Sequence, residues 1–499
     1  MHKMAQFSLG LSFHILIIHH FFLYFYIMKV SYSNNKEIAH MKKLLALFFT
    51  SLFLVVFPQV SNAATIDEVK SIVKDYYVGT INGDLDDANT IDEVVDMLDP
   101  YSTYFTKNEF EEFLNYVDMK SVGIGVVIEK HEKGILVVDV IENGSASQSG
   151  ITAGDIILSI NGISAAPLST EEASSYILGE ENTAVSLSIL KTDGTIQNYN
   201  LIRKPFSIPN VTSSLLYGNV GYINLSSFSE DGAQLVANAY NKLKQQGATS
   251  YILDLQNNGG GYVDTAIQLI NMFPNVAKPA IHFEYAPGVE YEDYSYIRKN
   301  TLFPSNTKVL VNGYSASASE MTAVALLDQK AATLYGETTY GKGCMQTFFE
   351  LEDGSYLKLT IAEFSGPKGT EVNNIGVTPT VQTTENPIYA AHFDSIAEKL
   401  SNYKKMASLA NVPTTKTFTV NFNKTIQSTV SENTVELIEL GSATTVDVTL
   451  QTKDKQLLIT PVEPLQKGAE YMLIIRPTIT DTDGKTLTKG SYLHVTVKK

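Results

Sequence analysis

The run Val311-Asn-Gly-Tyr-Ser-Ala-Ser-Ala-Ser-Glu-Met-Thr-Ala-Val-Ala-Leu-Leu-Asp328 decides how the middle of this chain folds. It is entered by Lys308-Val-Leu-Val-Asn312, an apolar, β-branched stretch that reads as a buried strand ending at Asn312. Small residues then make a turn, and alanines and leucines carry a helix from Ser317 or Ala318 onward. A serine at such a strand–turn–helix junction faces free backbone N–H groups and the positive end of a helix dipole, both of which stabilise negative charge. The same residues have a plainer reading. Ser317-Ala-Ser-Glu320 is also a capping box, and a serine that starts a helix is commonly only its cap.

Two further stretches lie on either side. Leu253-Asp-Leu-Gln-Asn-Asn-Gly-Gly-Gly261 is a strand running into glycines, a turn that exposes backbone N–H donors as an oxyanion hole requires. It could equally be loop punctuation. Gly336-Glu-Thr-Thr-Tyr-Gly-Lys-Gly-Cys-Met-Gln346 is one residue from a phosphate-binding loop, but Gly343 stands where a magnesium-ligating hydroxyl must be. A nucleotide site is therefore excluded, and what remains is Lys342 on a glycine turn. Val220-Gly-Tyr-Ile-Asn-Leu225 and Tyr251-Ile-Leu-Asp-Leu255 add strands, with Ala- and Leu-rich helical segments between or after them. Residues 206–390 are thus expected to form an α/β core.

At 499 residues the chain is too long for one ordinary domain, and about 150 residues per domain gives roughly three. With 18% charged and 44% hydrophobic residues it has a globular composition. A formal charge of −16 argues against a nucleic-acid partner, which needs a basic footprint. The single cysteine, Cys344, excludes an internal disulfide and a Cys-rich zinc site. Beyond residue 63 the histidines are His131, His282, His392 and His494, with no His-Glu-x-x-His helix. A Ser–His–Asp triad would depend on His282, and no Gly-x-Ser-x-Gly elbow accompanies it. No metal and no cofactor are expected.

Residues 41–63, MKKLLALFFTSLFLVVFPQVSNA, combine a basic start, an apolar run and a small-residue ending, the pattern of a cleaved signal peptide. The run is short for a bilayer span, and Pro58 follows it at once, which favours export over a membrane anchor. Residues 1–40 are expected to be an over-long gene start, with Met41 the true one; a second hydrophobic anchor is the alternative. Residues 64–118 read as helical, with Ile66, Val69, Ile72 and Val73, then Phe110, Phe113, Leu114 and Val117, at helix spacing. Residues 391–412 read as a polar helix or linker. From 413 to 499 short strands alternate with turns, so a β-sandwich is expected there. Asp481-Thr-Asp-Gly484 resembles the start of a calcium loop, but Tyr492 occupies the position of the bidentate glutamate, so a hairpin turn is the better reading.

Residues 119–205 resemble a PDZ domain. Gly123-Ile-Gly-Val126 matches the family's carboxylate-binding loop, and Gly150-Ile-Thr-Ala-Gly-Asp155 leading to Asn161-Gly162 matches its glycine turn and strand. The resemblance implies that Gly123, Ile124, Gly125 and Val126 hold the free C-terminus of a polypeptide that adds as an edge strand, with its apolar last side chain in a pocket. Val420-Asn-Phe-Asn-Lys424 and Ile479-Thr-Asp-Thr-Asp-Gly-Lys485 resemble bacterial Ig-like modules of surface proteins.

Across residues 66–400 the joint order of motifs resembles the C-terminal processing (tail-specific) serine proteases, peptidase family S41. That family's Ser-Ala-Ser-Ala-Ser-Glu, its Gly-Lys-Gly followed by Gln, and its Asp-Leu-Arg-Asn-Asn-Pro-Gly-Gly all have counterparts here. So do the landmarks Asp99-Pro-Tyr-Ser-Thr-Tyr104, Asp353-Gly-Ser-Tyr-Leu-Lys-Leu-Thr360 and Gly376-Val-Thr-Pro379. The resemblance implies a multidomain α/β plus β protein: N-terminal helices, a PDZ domain, a crotonase-like α/β protease core and a C-terminal β-sandwich. It implies a serine endopeptidase acting on exported proteins, with Ser317 as nucleophile, Lys342 as general base and Gln346 orienting the lysine. Gly260, Gly261 and Ala318 would supply the oxyanion hole. Lys342 and Gln346, four apart, would share one face of a strand. Gln256 and Gly259 depart from the family's Arg and Pro, and Cys344 from its small or apolar residue. The resemblance further implies a dimerisation arm in 64–118, and the Ig-like module a contact with cell wall or surface. The competing readings are a non-catalytic cell-surface PDZ/Ig-like binding protein and a crotonase-like acyl enzyme.

Overall fold

The computed structural model describes residues 64–142, 144–287 and 302–499. The expected export segment 41–63 and the stretch 1–40 lie outside the described residues. Among the described residues no helix is long and apolar enough to cross a membrane.

The N-terminal region opens with α1 (Ile66–Tyr76) and α2 (Ile91–Asp96). Thr65 and Thr90 cap them, each hydroxyl accepting a backbone N–H three residues on, from Glu68 at 3.1 Å and Glu93 at 3.2 Å. Their apolar stripes bury Val69, Val73 and Val94 against Leu357, Leu359 and Ile361 of the core. A short strand that the helical periodicity did not foretell, β1 (Thr103–Phe105), follows. It pairs antiparallel with the core, Thr103 opposite Lys358. The capping box of Thr106 and Glu109 then starts α3 (Lys107–Val117).

A two-stranded ribbon leads into and out of the PDZ domain. Its strands are β2 (Lys120–Gly123) and, after the domain, residues 204–207. Between them run β3 (Val126–His131), β4 (Gly134–Val140), α4 (Ser145–Gln148), β5 (Ile156–Ile160), β6 (Ile163–Ser164), α5 (Thr170–Ile177), β7 (Ala184–Leu190) and β8 (Ile196–Ile202). Alternate residues of β7 (Val185, Leu187 and Ile189) are buried with Ile135, Ile157 and Ala173. The strand order β3-β4-β5-β7-β8 leaves β3 at an edge, with α5 packed beside it.

After the ribbon's return strand β9 (Lys204–Ser207), the core comprises β10 (Val211–Leu216), β11 (Val220–Leu225), α6 (Gly232–Gln245), β12 (Ser250–Asp254), α7 (Val263–Ile270), β13 (His282–Tyr285), β14 (Lys308–Val311), α8 (Ala318–Asp328), β15 (Thr333–Gly336), β16 (Cys344–Glu350), β17 (Tyr356–Ser365), β18 (Val381–Gln382) and α9 (Pro387–Lys399). The main sheet runs β10-β11-β12-β14-β15-β18 and is parallel from β11 to β18. β12 and β14 are buried along their whole length, as strands covered on both faces must be. Helices α6, α7 and α8 cover one face and α9 the other. A second sheet joins β1, β17 and β13, with β16 also on β17.

The expected linker 391–412 is built into both of its neighbours. Ala391 of α9 lies with Leu216, Ile252 and Leu310 of the core sheet. Phe393, Ile396 and Leu400 are buried with Ile438, Leu440, Met472 and Ile474 of the C-terminal domain. That domain has β19 (Lys404–Lys405), β20 (Leu409–Val412), β21 (Phe418–Asn421), β22 (Val435–Glu439), β23 (Thr445–Val446), β24 (Val448–Lys453), β25 (Gln456–Pro461), β26 (Glu470–Ile475) and β27 (Ser491–Val497). Sheets β19-β27-β26-β22-β23 and β21-β25-β24 enclose one apolar core. At the Asp481 turn its carboxylate accepts the N–H groups of Asp483 and Lys485, and Lys424 pairs with Asp481 and Asp483.

Candidate active site

Three loops follow the carboxyl ends of three neighbouring parallel strands: 255–261 after β12, 312–317 after β14 and 337–343 after β15. In an open α/β sheet that is the edge at which crevices form. Hydrogen bonds tie the loops together. Asn257 and Asn312 exchange two bonds, N–H to Oδ1 at 3.0 Å and Nδ2 to Oδ1 at 2.9 Å. The Asn258 carbonyl accepts Ala316 N–H at 3.0 Å and Ser319 Oγ–H at 2.8 Å. Ser315 donates to Leu255 O at 2.8 Å and accepts Tyr340 N–H on its own carbonyl at 3.0 Å.

Ser317 stands at the start of α8 with φ 56° and ψ −112°. An ordinary N-cap residue is extended, and a non-glycine residue in this region carries strain of about 1–3 kcal/mol, as functional sites do. Glu320 fulfils its half of the capping box, accepting Ser317 N–H at 2.9 Å. It also does much more than cap. Fully buried at 0% exposure, its carboxylate accepts Thr339 Oγ–H at 2.6 Å, Gly341 N–H at 2.6 Å and Lys342 N–H at 2.8 Å. Four donors fill the acceptor sites of an ionised carboxylate. One side chain therefore fixes the backbone at Ser317 and at Lys342 together.

Lys342 is half-buried. Burial holds its ammonium below the ordinary lysine range, although Cys344, Asp99 and Glu320 pull the other way. The ring of Tyr101 lies over its Nζ, 4.7 Å from the centroid. Gln346 donates its carboxamide N–H to Thr360 Oγ1 at 3.1 Å and to Cys344 Sγ at 3.2 Å. Lys342 and Gln346 are not two positions of one strand. Lys342 precedes β16, and a bulge between Met345 and Gln346 shifts the register. Burial pushes the Cys344 thiol up to about 11, so it stays a neutral thiol and a poor nucleophile. A second lysine lies near Lys342. Burial, with Lys342 nearby, brings Lys358 down to about 8, its Nζ standing 5.0 Å from the Phe113 ring centroid.

Gly260 lies against the serine. With φ at +108°, a Cβ built on it would meet Ala316 O at 2.9 Å, Ser317 Cβ at 2.9 Å and Ala318 N at 3.1 Å. Its own N–H, however, is given to Asn258 Oδ1 at 2.9 Å, and its carbonyl accepts Phe228 N–H at 2.9 Å.

In the PDZ domain Gly123 ends β2, and a Cβ there would meet Leu178 Cδ2 at 2.9 Å, beyond the end of α5. Ile124 is buried and Gly125 has φ +75°. Their carbonyls accept the N–H groups of Ala146 and Ile141, both at 2.9 Å. Val126 begins edge strand β3. The loop 123–126 thus leads from β2 into edge strand β3, beside the end of α5.

In the sequence Glu320 reads as a local cap, Asp99–Ser102 as a turn, and Asp99–Tyr104 and Asp353–Thr360, which contains Lys358, as family landmarks, with none of them placed at the site. Their roles depend on contacts across the chain that no local pattern displays.

The family model for peptidase family S41 matches residues 219–383, that for the PDZ domain 136–191 and that for the bacterial Ig-like domain 403–496. The carboxy-terminal processing protease CtpA of Bacillus subtilis (strain 168) is 33% identical over 321 residues, 64% of this chain and 68% of that protein. The probable CtpA-like serine protease of Staphylococcus aureus (strain bovine RF122 / ET3-1) is 30% identical over 364 residues, 72% of this chain and 69% of that protein. Among solved structures, the photosystem II D1 C-terminal processing protease aligns with a TM-score of 0.42 at 23% identity, covering 67% of this chain and 95% of its own. Fold, domain set and sequence together define a multidomain serine-type peptidase of the C-terminal processing kind. The chain belongs to peptidase family S41. That decides against the non-catalytic binding protein and the acyl-enzyme alternative.

Proposed function

We propose that Ser317 and Lys342 form the catalytic pair of an endopeptidase that trims exported polypeptides whose C-terminal tails are held by the PDZ domain. The observation that carries this reading is the buried Glu320 carboxylate, which accepts the backbone N–H groups of both residues. Neutral Lys342 takes the proton from Ser317 Oγ as that oxygen adds to the peptide carbonyl. The ammonium then gives its proton to the leaving amine, and water, deprotonated by the same lysine, releases the acyl group from Ser317. Because Gly260 N–H is already engaged, the N–H groups of Gly261 and Ala318 are the donors that hold the oxyanion. Gln346 supports the wall beside Lys342 through Thr360 and Cys344. Gly123, Ile124, Gly125 and Val126 receive the tail's carboxylate, and β3, an edge strand, receives its backbone. Residues 41–63 direct export, and the Ig-like domain serves at the cell surface.

The test is labelling by a fluorophosphonate, which reacts with an activated serine. We expect the wild type to be labelled at Ser317, Ser317→Ala to be unlabelled, and Lys342→Ala to lose both labelling and peptide hydrolysis while staying folded. Hydrolysis at the wild-type rate by either variant would refute the assignment.

A further inference from the structure

Tyr101 belongs to the N-terminal region, more than two hundred residues from Lys342 in sequence, yet its ring covers the lysine's Nζ at 4.7 Å. It is held there by a chain of bonds. Tyr101 N–H donates to Asp99 Oδ1 at 2.7 Å, and Ser102 Oγ–H donates to Asp99 Oδ2 at 3.2 Å. Asp99 N–H donates to the Tyr77 hydroxyl at 2.8 Å. Ser102 Oγ in turn accepts Thr360 N–H at 3.1 Å, and Thr360 Oγ1 accepts the Gln346 carboxamide at 3.1 Å. The 99–102 turn is therefore fastened to the same wall that carries Gln346. On its other side the Tyr101 hydroxyl lies near that of Tyr340, which stands two residues before Lys342 and is 59% exposed.

We infer that Tyr101 is a positioning residue for the reaction, a wall supplied by the N-terminal region that keeps water from Lys342 and offers its π face to the ammonium formed when the lysine takes the serine's proton. This rests on the Ser317–Lys342 reading above. The two effects oppose each other. Excluding water disfavours the ammonium, whereas a ring face attracts it. Burial holds the Lys342 ammonium down, and the ring that closes over its Nζ at 4.7 Å is part of that cover, so the wall is assigned the larger of the two effects. The groups that act on Lys342 come from several elements: Asp99 and Tyr101 from the 99–102 turn, Glu320 from α8, Cys344 from β16 and Lys358 from β17, while Tyr77 lies beside Asp99, Tyr340 beside Tyr101 and Gln346 beside Cys344. Burial, aided by Tyr340, pushes the Tyr101 hydroxyl up to about 12, and the Tyr77 hydroxyl is also raised by burial. Neither exchanges a proton with the lysine at neutral pH.

The experiment measures fluorophosphonate labelling of Ser317 against pH in the full chain, for wild type, Tyr101→Phe, Tyr101→Leu, Tyr101→Ala and Lys342→Ala. Tyr101→Ala admits water, so the acid limb moves to higher pH and labelling at pH 7 falls on the order of tenfold. Tyr101→Phe keeps wall and ring and titrates as the wild type. Tyr101→Leu keeps the wall without the ring, so its limb lies at or below the wild-type position. An unmoved limb in Tyr101→Ala, or a limb above wild type in Tyr101→Leu, overturns the wall; the second holds even if the alanine variant does not fold. If Lys342→Ala labels with the wild-type profile, the Ser–Lys reading itself fails, and that outcome is distinct from both.

Discussion

A carboxylate at position 320 accepts four hydrogen bonds, whereas a carboxamide could accept at most two and would press an NH2 group against N–H donors. Bonds to a charged acceptor contribute about 1.5–3 kcal/mol each, more than neutral ones. Glu320→Gln should therefore destabilise the fold by about 3 kcal/mol and release the loops of Ser317 and Lys342 from each other. We expect kcat/KM for a peptide to fall by roughly a hundredfold or more, since a misplacement of about 1 Å has that effect. A wild-type rate in this variant, measured beside its thermal unfolding, would mean that the carboxylate is no clamp. The residue was visible in the sequence as the last residue of a capping box, three after its serine. That motif describes a bond across three residues, and a partner twenty-two positions away at Lys342 leaves no trace in it. The serine's unusual backbone angles were equally hidden, because they are imposed by tertiary contacts and not by local preference.

At the scale of elements, periodicity was most informative where a strand or helix has one environment along its length. β12 and β14 are buried throughout and read as continuous apolar runs; β7 alternates because one face meets the PDZ core. It failed where an element serves two partners. Helix α9 buries residues against both the core and the C-terminal domain, so no single apolar stripe showed where it docks, and the segment from 391 read as a polar helix or linker. Strand β1 is only three residues long, too short for any pattern. The glycine loop after β12 is a third kind of case, in which legibility depended on knowing what approaches. Gly260 needs φ +108° and leaves no room for a Cβ, which would stand 2.9 Å from both Ala316 O and Ser317 Cβ. Gly260→Ala must either push the 312–317 loop away or distort its own turn, at about 1–3 kcal/mol. The expected result is a loss of hydrolysis of at least about a hundredfold with secondary structure by circular dichroism unchanged. Activity within a few-fold of wild type would show that the two loops are not in functional contact.

In the whole molecule, the protease core and the Ig-like domain are joined through a buried layer that includes an ionisable ring. His392 Nδ1 accepts Gly441 N–H at 2.9 Å, so its proton sits on Nε2, which donates to Tyr217 O at 2.9 Å. Tyr217 also donates its N–H to Ser442 O at 3.0 Å and its hydroxyl to Glu436, which Arg476 holds from the other side at 2.7 Å. A proton added to Nδ1 would face the Gly441 N–H with no acceptor. Burial accordingly lowers the His392 pKa from 6.5 to about 4. The unfolded chain takes up this proton below pH 6.5 and the folded chain only near pH 4, so the docked state loses stability as pH falls through that window. Each unit is worth about 1.4 kcal/mol, which makes the whole contribution on the order of 3 kcal/mol. Carboxylates elsewhere titrate in the same range, so the informative quantity is a difference between variants. Calorimetric stability measured at pH 7 and pH 4.5 should fall less in His392→Gln than in the wild type, because the carboxamide can donate to Tyr217 O and accept from Gly441 without titrating. Equal losses in the two proteins would show that His392 does not link protonation to the seating of the Ig-like domain.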